Sequence, residues 1–312
     1  MSAGGAAPAR PVTEVAVGVL IRADGAVLMA DRPAGKPYAG YWEFPGGKIE
    51  PGETVAQALE RELAEELGVR VHASLPWTVI EHDYPHAYGR LHFRRVYRWE
   101  GEPQAVEGQR LQFHRPGAVA PAPLLPAAVP ALRWIQLPSV MARRAADGAP
   151  ASVALDWLQD AIGRGVRLVL WDEPHLAPAE QVALAQRARA LAAPYGVPLL
   201  DAAAAAAPSA LGAADGQFLT RAGLRHAVPA AVGGWLGAAA GSREELCRAA
   251  ALGCDLALWD GGGSATMVAL DARLAALATL QAPLPVYVPA PLSLTALAAA
   301  QRAGAHGLLI EL

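Results

Sequence analysis

Apolar positions along the chain follow two different rhythms, and the change between them divides the sequence. In the first part, about 13–150, branched and aromatic residues gather into short runs, Val15–Ile21, Val27–Ala30, Trp77–Glu81 and Leu91–Trp99, as strands require. One stretch there repeats differently. Over Thr54–Leu67 the leucines 59, 63 and 67 recur every four residues, which puts them on one stripe of a helix. Thr54 followed by Gln57 fits a capping box, and Gly68 fits a left-handed stop, so both helix ends are predicted as well. Strands surrounding a helix predict an α+β domain with a mixed sheet flanked by helices.

The segment HRPGAVAPAPLLPAAVP (114–130) is rich in Pro and Ala and reads as an extended surface stretch or linker. From about residue 132 the rhythm becomes short apolar run, polar turn and alanine-rich helix, repeated. The runs are Leu132–Leu137, Val166–Trp171, Pro198–Asp201, Gln217–Thr220, Ala231–Leu236, Leu256–Trp259, Val286–Pro289 and Leu308–Ile310, with helical stretches such as Ala177–Ala193, Arg243–Ala251 and Ser293–Ala303 between them. Alternation of this kind predicts parallel βα units, and eight strands would close an α/β (β/α)8 TIM-barrel-like domain. The expected organisation is a disordered tail over 1–12, one domain over 13–131 and a second over 132–312.

Composition changes this picture little. Of 312 residues, 53% are hydrophobic and 18% charged, which supports a buried interior rather than disorder. A net charge of −3 gives no electrostatic reason to expect duplex nucleic acid as a partner. Mean hydropathy is positive because of alanine, and no apolar run reaches the roughly 18–20 residues that a membrane span needs. The start, MSAGGAAPARPVTE, lacks the apolar core of a signal peptide, so a cytoplasmic protein is expected. Cys247 and Cys254 form no CxxC pair and read as free, buried thiols in a reducing compartment.

The candidate chemistry lies on the predicted helix. Within GGKIEPGETVAQALERELAEELGV (46–69), Glu60, Glu62, Glu65 and Glu66 fall within seven residues. Glu62, Glu65 and Glu66 occupy an arc of about 100° beside the leucine stripe. Sheltered like charges repel more strongly than solvated ones, and a hard dication with oxygen ligands relieves that repulsion while keeping waters and room for phosphates. Gly46 and Gly47, just before the helix, allow backbone to approach a metal or phosphate closely.

The spacing of Gly47, Glu53, Arg61-Glu62-Leu63, Glu65-Glu66 and Gly68-Val69 resembles the complete Nudix box. The resemblance implies a hydrolase that cleaves a nucleoside diphosphate linked to another group through attack of water on an internal phosphorus. It implies Mg²⁺ or Mn²⁺ held by Glu62, Glu65 and Glu66, with the Gly47 carbonyl as a further ligand. Glu53 and Arg61 would complete the catalytic set by bracing loop and helix.

The stretches VAVGVLIRADGAVLMADRP, GYWEFPGGKIEPGET and RWEGEPQAVEGQ are similar to the MutT type, the 8-oxo-dGTP diphosphatases. That similarity implies a nucleotide pocket along Arg32 and Phe44, with Gly46 and Gly47 at the substrate, and Glu107 reaching the metals from a loop. His82, His86 and His92 read as surface or packing histidines. One position departs from the pattern. The MutT family has a base-reading Asn where LLPAAVPAL (124–132) places Ala128; a site built on hydrogen bonds discriminates through them, so the resemblance carries over the reaction class and leaves selectivity for the oxidised purine open.

The second region is similar to thiamine-phosphate synthase and TenI-like barrels over GVRLVLWDEP (165–174), YGVPLL (195–200), GSREELCRAAALGCD (241–255) and PLPVYV with AGAHGLLI. Its functional positions differ from that family. Leu170, Trp171, Asp172 and Glu173 stand for a QLRE-like pyrophosphate strand, with Asp172 in place of Arg; Ala202 stands for Asn, and Ala239 and Gly241 for Ser-x-His. PAPLS follows the seventh strand where a phosphate-binding loop is expected, and little chain follows the eighth.

The resemblance to the MutT type implies metal-dependent hydrolysis of a nucleoside triphosphate to the monophosphate and pyrophosphate, with nucleotide-pool sanitation of the 8-oxo-dGTP type as the expected role. The second region is expected to lack synthase activity. Hydrolysis of thiamine-like or other organic pyrophosphates, or ligand sensing through the barrel, are the alternatives, and the oligomeric state stays open.

Overall fold

A computed structural model of the chain describes residues 11–144, 150–173, 175–202, 216–228, 234–260 and 269–312. The chain divides into two compact units, Met1–Gln136 and Leu137–Leu312.

In the first unit the strands are β1 (Val12–Leu20), β2 (Val27–Asp31), β3 (Trp42–Glu43), β4 (Gly46–Lys48), β5 (Arg70–Tyr84), β6 (Ala87–Glu100) and β7 (Leu111–His114), with helices α1 (Val55–Leu67) and α2 (Ala128–Trp134). One mixed sheet runs β4-β1-β6-β5, with β1 and β6 parallel; a second runs β3-β2-β7. Residues 1–10 of the expected tail lie outside the described residues, while Val12 already pairs with Tyr88.

Helix α1 forms as its pattern dictates. The Thr54 side chain accepts from the Gln57 amide, Gln57 returns the bond to Thr54, and Gly68 closes the helix at φ 66°. Ala58, Leu59, Leu63 and Leu67 are fully buried against Ala16, Leu20, Leu28, Val69 and Val96. Each buried leucine contributes about 2 kcal/mol to seating the helix. The helix can lie this close to β1 because Gly18 has no side chain: a Cβ there would stand 3.0 Å from Leu59 Cδ1 and 3.1 Å from Leu63 Cδ1.

The second unit is a closed barrel of β8 (Val140–Arg143), β9 (Val169–Trp171), β10 (Leu199–Asp201), β11 (Gly216–Leu219), β12 (Trp235–Ala240), β13 (Leu256–Trp259), β14 (Val286–Pro289) and β15 (Gly307–Glu311). Every pairing is parallel, and β15 returns to β8 through Leu308 opposite Val140. Helices α3 (Ala151–Gly163), α4 (Pro178–Ala192), α5 (Arg221–His226), α6 (Arg243–Ala251), α7 (Leu270–Leu280) and α8 (Leu294–Arg302) join the strands. The fold is therefore an α+β sheet unit followed by a (β/α)8 barrel.

Four expectations change. Leu132–Leu137 is not a barrel strand: Ala128, Ala131 and Leu132 are buried at helical spacing on α2, and the first barrel strand begins at Val140. The 114–130 stretch is more than a surface linker. Trp42 donates its amide to Pro123 O at 2.7 Å, Leu125 donates to Trp42 O at 2.9 Å, and Leu125, Ala127 and Ala128 are buried. The fifth barrel strand starts later than expected, at Trp235, and 231–233 of the predicted run lie outside the described residues. Both cysteines are free, but Cys247 is exposed; Cys254 is buried, and its thiol is pushed up to about 12 by that burial and by Asp255. No helix among the described residues is long and apolar enough to cross a membrane.

Candidate active site

A cavity of about 800 Å³ opens in the first unit, bounded by the outer face of α1, strand β4, the 32–41 segment and the loop that carries Glu107. Its lining includes Arg32, Phe44, Gly46, Gly47, Arg61, Glu62, Glu65, Glu66, Glu107 and Ala128. Ten of the eleven residues singled out from the sequence thus border one space. The eleventh, Glu53, stands behind it.

Glu53 acts through Arg61. The Arg61 guanidinium donates to both Glu53 oxygens at 2.8 and 2.9 Å, to Glu62 Oε1 at 2.9 Å, to the Lys48 carbonyl at 3.0 Å and, more loosely, to Glu65 Oε2 at 3.4 Å. This one planar group ties helix, loop and β4 together. Its hydrogen bonds hold the Glu53 carboxyl down to about 2, with the Glu50 amide assisting. Arg61 itself is raised, first through Glu53 and then Glu62.

Glu66 is in a different environment. It accepts from the Gly46 amide at 3.1 Å, yet burial raises its carboxyl to about 7, with Glu107 and Glu62 adding repulsion. Gly47 is needed for room. A Cβ there would lie 2.2 Å from the Glu62 carboxyl carbon. Glu107 is placed by its neighbour Gln109, which accepts the Glu107 amide at 2.9 Å and donates to the Glu66 carbonyl at 2.9 Å. The loop is further tied to the helix end by Gln104 N to Leu67 O and Val106 N to Glu66 O, 2.9 and 3.2 Å.

Among the described residues, no three His, Cys, Asp or Glu side chains are gathered closely enough to ligate an ion as they stand. Arg61 draws Glu62 and Glu65 one way and the Gly46 amide holds Glu66 another. The donor set nevertheless fits a hard dication: every side-chain ligand is a carboxylate, Glu107 and Glu62 both repel Glu66, and Gly47 brings its backbone up to Glu62 with no side chain between them.

The opposite wall is aromatic and mixed in polarity. Arg32 donates to Glu43 at 2.7 Å and to the Pro37 carbonyl at 2.7 Å, while burial raises Glu43 despite that pairing. Phe44 is buried, meets Phe93 edge-on at 6.1 Å and still faces the cavity, so it serves core and pocket together. Tyr38 at φ 61° packs against Tyr41, Tyr84 and His86, with centroids 5.2, 5.8 and 5.8 Å away. Of the three histidines read as surface or packing groups, His92 pairs with Glu14 and His82 stacks on Tyr84, but His86 lines the cavity. Sequence reasoning missed Lys36, Tyr38, Glu43 and Tyr84. Of these, only Glu43 carried a signal, a charged residue between the apolar Trp42 and Phe44 on a strand.

Comparison with known proteins bears on both units. The model of the NUDIX domain family matches residues 12–145. The CTP pyrophosphohydrolase of Escherichia coli is 42% identical over 133 residues, which is 42% of this chain and 93% of that protein. The 8-oxo-dGTP diphosphatase of the same organism is 41% identical over 96 residues, 31% of this chain and 74% of the relative. A solved thiamine phosphate pyrophosphorylase from Pyrococcus furiosus aligns over 55% of this chain and 85% of its own, at 18% identity and a TM-score of 0.44.

Proposed function

From the premise that this chain belongs to the NUDIX family and is a Nudix hydrolase, we propose that it splits a nucleoside triphosphate into the monophosphate and pyrophosphate with the help of Mg²⁺ or Mn²⁺. The observation that carries this reading is the shared cavity: Glu62, Glu65, Glu66 and Glu107 on one side, and Arg32, Glu43, Phe44 and the tyrosines on the other. An acidic wall facing an aromatic one suits a ligand with a polyphosphate at one end and a planar base at the other.

Glu62, Glu66 and Glu107, with Glu65 and the Gly47 carbonyl at the edge, would hold the dication. When bound, the ion neutralises phosphate charge and makes a water acidic enough to attack phosphorus. The chain's own residues supply the positioning. Arg61 and Glu53 fix β4 against α1, so the Gly46–Lys48 backbone stands at a set distance from the glutamates. Gly46 orients Glu66 through its amide. Arg32 and Glu43 offer a donor and an acceptor to the edge of a base, and Phe44 with Phe93 offers it an apolar face.

Sanitation of oxidised guanine nucleotides is the leading assignment. A specific feature favours a second one, a cytidine nucleotide: buried Ala128 brings no hydrogen-bonding group to the cavity, and the relative matched over 93% of its own length is a CTP pyrophosphohydrolase. The barrel is read as lacking synthase activity. Its Gly241 amide is already engaged by Glu245 at 2.7 Å, Arg221 is engaged by Glu245 and Asp260, and Arg144 by Glu173. Donors that a phosphate would need are thus bound to internal acids.

The test is a substrate panel with Mg²⁺, comprising 8-oxo-dGTP, dGTP, CTP, a sugar nucleotide and thiamine diphosphate, with products separated by ion exchange. Monophosphate plus pyrophosphate from one of the triphosphates is expected. Turnover of thiamine diphosphate with none of any triphosphate would overturn the assignment.

A further inference from the structure

The cavity holds a cation that the roles above leave unused. Lys36 sits in the 32–41 segment, which is braced along its length: Arg32 Nε donates to Pro37 O at 2.7 Å, the Gly40 amide to Arg32 O at 2.8 Å, and the Arg32 amide to Tyr41 O at 2.9 Å. From this strap the Lys36 ammonium reaches Glu107 at 2.6 Å. Its charge also bears on Glu66, on the acidic wall, and on Glu43 across the cavity.

Of the other cations lining the cavity, Lys48 pairs with none of its carboxylates among the described residues, and the two arginines are already tied down. Arg61 is held by Glu53, Glu62, Glu65 and the Lys48 carbonyl, and Arg32 by Glu43 and Pro37. Neither guanidinium can swing to the phosphates without breaking these bonds. Lys36 has Glu107 as its one partner among the described residues, and an ammonium carries three donors on a flexible stem. Both members of the pair are well exposed, at 45% and 39%, so the contact is weak and easily exchanged.

We propose that Lys36 is a phosphate-binding residue that works by exchanging partners. In the ion-free protein it neutralises Glu107. A dication drawn to Glu62, Glu66 and Glu107 competes with the ammonium for the same carboxylate oxygens, and the released Lys36 turns to the oxygens of the substrate's diphosphate. The inference rests on the reading that this cavity takes a metal and an organic di- or triphosphate. It adds which side chain grips the departing pyrophosphate and why that grip follows ion binding.

Partner exchange makes two binding constants move in opposite directions, which a purely structural lysine would not do. Lys36→Met keeps the stem and removes the charge. By calorimetry, Mn²⁺ alone should bind the Met variant about 2- to 5-fold more tightly than the unaltered protein, because its competitor at an exposed pair is gone. With Mn²⁺ saturating, the non-hydrolysable diphosphate imidodiphosphate should bind about 10-fold or more weakly, the usual cost of a lost hydrogen bond to a charged group. Lys36→Arg should restore most of the diphosphate affinity. Equal changes in both constants, no change in either, or failure of the unaltered protein to bind Mn²⁺ would overturn the proposal. Neither measurement needs turnover. The opposed shifts in a protein that hydrolyses no triphosphate would leave the exchange standing and remove the hydrolase assignment; triphosphate hydrolysis without them would do the reverse.

Discussion

Replacing Gly47 with alanine separates the site's geometry from the stability of the fold. The added methyl would lie 2.2 Å from Glu62 Cδ and 2.3 and 2.4 Å from its oxygens, whereas ordinary contacts to a Cβ begin near 3.4 Å. The carboxyl must therefore retreat by about 1.2 Å, the difference between 3.4 and 2.2. The nearest obstructed atoms are the far end of a flexible side chain, so the carboxyl rather than the backbone gives way. Gly47 also lies outside the left-handed region, so alanine brings no backbone strain there. The loss of the Arg61–Glu62 contact at 2.9 Å and the gain of about 0.4–1 kcal/mol from replacing glycine at a permissive position nearly cancel. The melting temperature should stay within about 3 °C of the unaltered protein. Turnover should not. A displacement of about 1 Å in a group that positions the reacting centre costs about 100-fold in kcat. Pyrophosphate release measured beside scanning calorimetry reads both numbers. Near-normal turnover in a folded Gly47→Ala protein would show that Glu62 does not need its present position, and the metal-site reading would lose its best-placed ligand.

Other perturbations test other parts. Glu66 has a folded pKa of about 7 against an ordinary 4.5, so the folded chain binds an extra proton between those values and Glu66's contribution to stability falls as pH rises through that window. In the ion-free protein, Glu66→Gln should therefore gain melting temperature over the parent between about pH 5 and about pH 8, and a gap that does not change with pH would refute this. Leu63→Ala, at a fully buried position under α1, should cost about 2–5 kcal/mol in denaturant unfolding, and a cost under about 1 kcal/mol would mean the helix is not seated by its leucine stripe. Ala128→Asn places an amide on the cavity wall and should raise the kcat/KM ratio of 8-oxo-dGTP over CTP by about 10-fold; an unchanged ratio would remove position 128 from base reading.

What could be read from the sequence was local. Helix α1 and both its ends follow from Thr54, Gln57, Gly68 and three leucines within one short stretch, so the acidic row could be located before any coordinates. Barrel strands such as Leu256–Trp259 and Val286–Pro289 were legible because each is a short apolar run between turns. Leu132–Leu137 failed for the same reason that those succeeded: a short apolar run does not reveal its period, and here Ala128, Ala131 and Leu132 share a helical face instead. Beyond Arg32 and Phe44, the aromatic wall could not be read. Tyr38 meets Tyr84 and His86, and Lys36 meets Glu107, across long stretches of intervening chain, in segments without regular periodicity. Such encounters are set by how the two sheets bring loops together. Phe44 was ambiguous in sequence because it has both roles in the fold.

Gln109 has a consequence for how this sequence can drift. Its single amide joins the last turn of the acidic helix to the loop that bears Glu107, so that loop inherits its position from the helix. The other ties between loop and helix, from Gln104 and Val106, run through backbone amides and do not depend on which side chain is present. A change from Gln109 to glutamate, which alters barely an atom, would replace the donor that faces the Glu66 carbonyl with one more negative charge. The least conspicuous substitution in the region would then be among the most damaging.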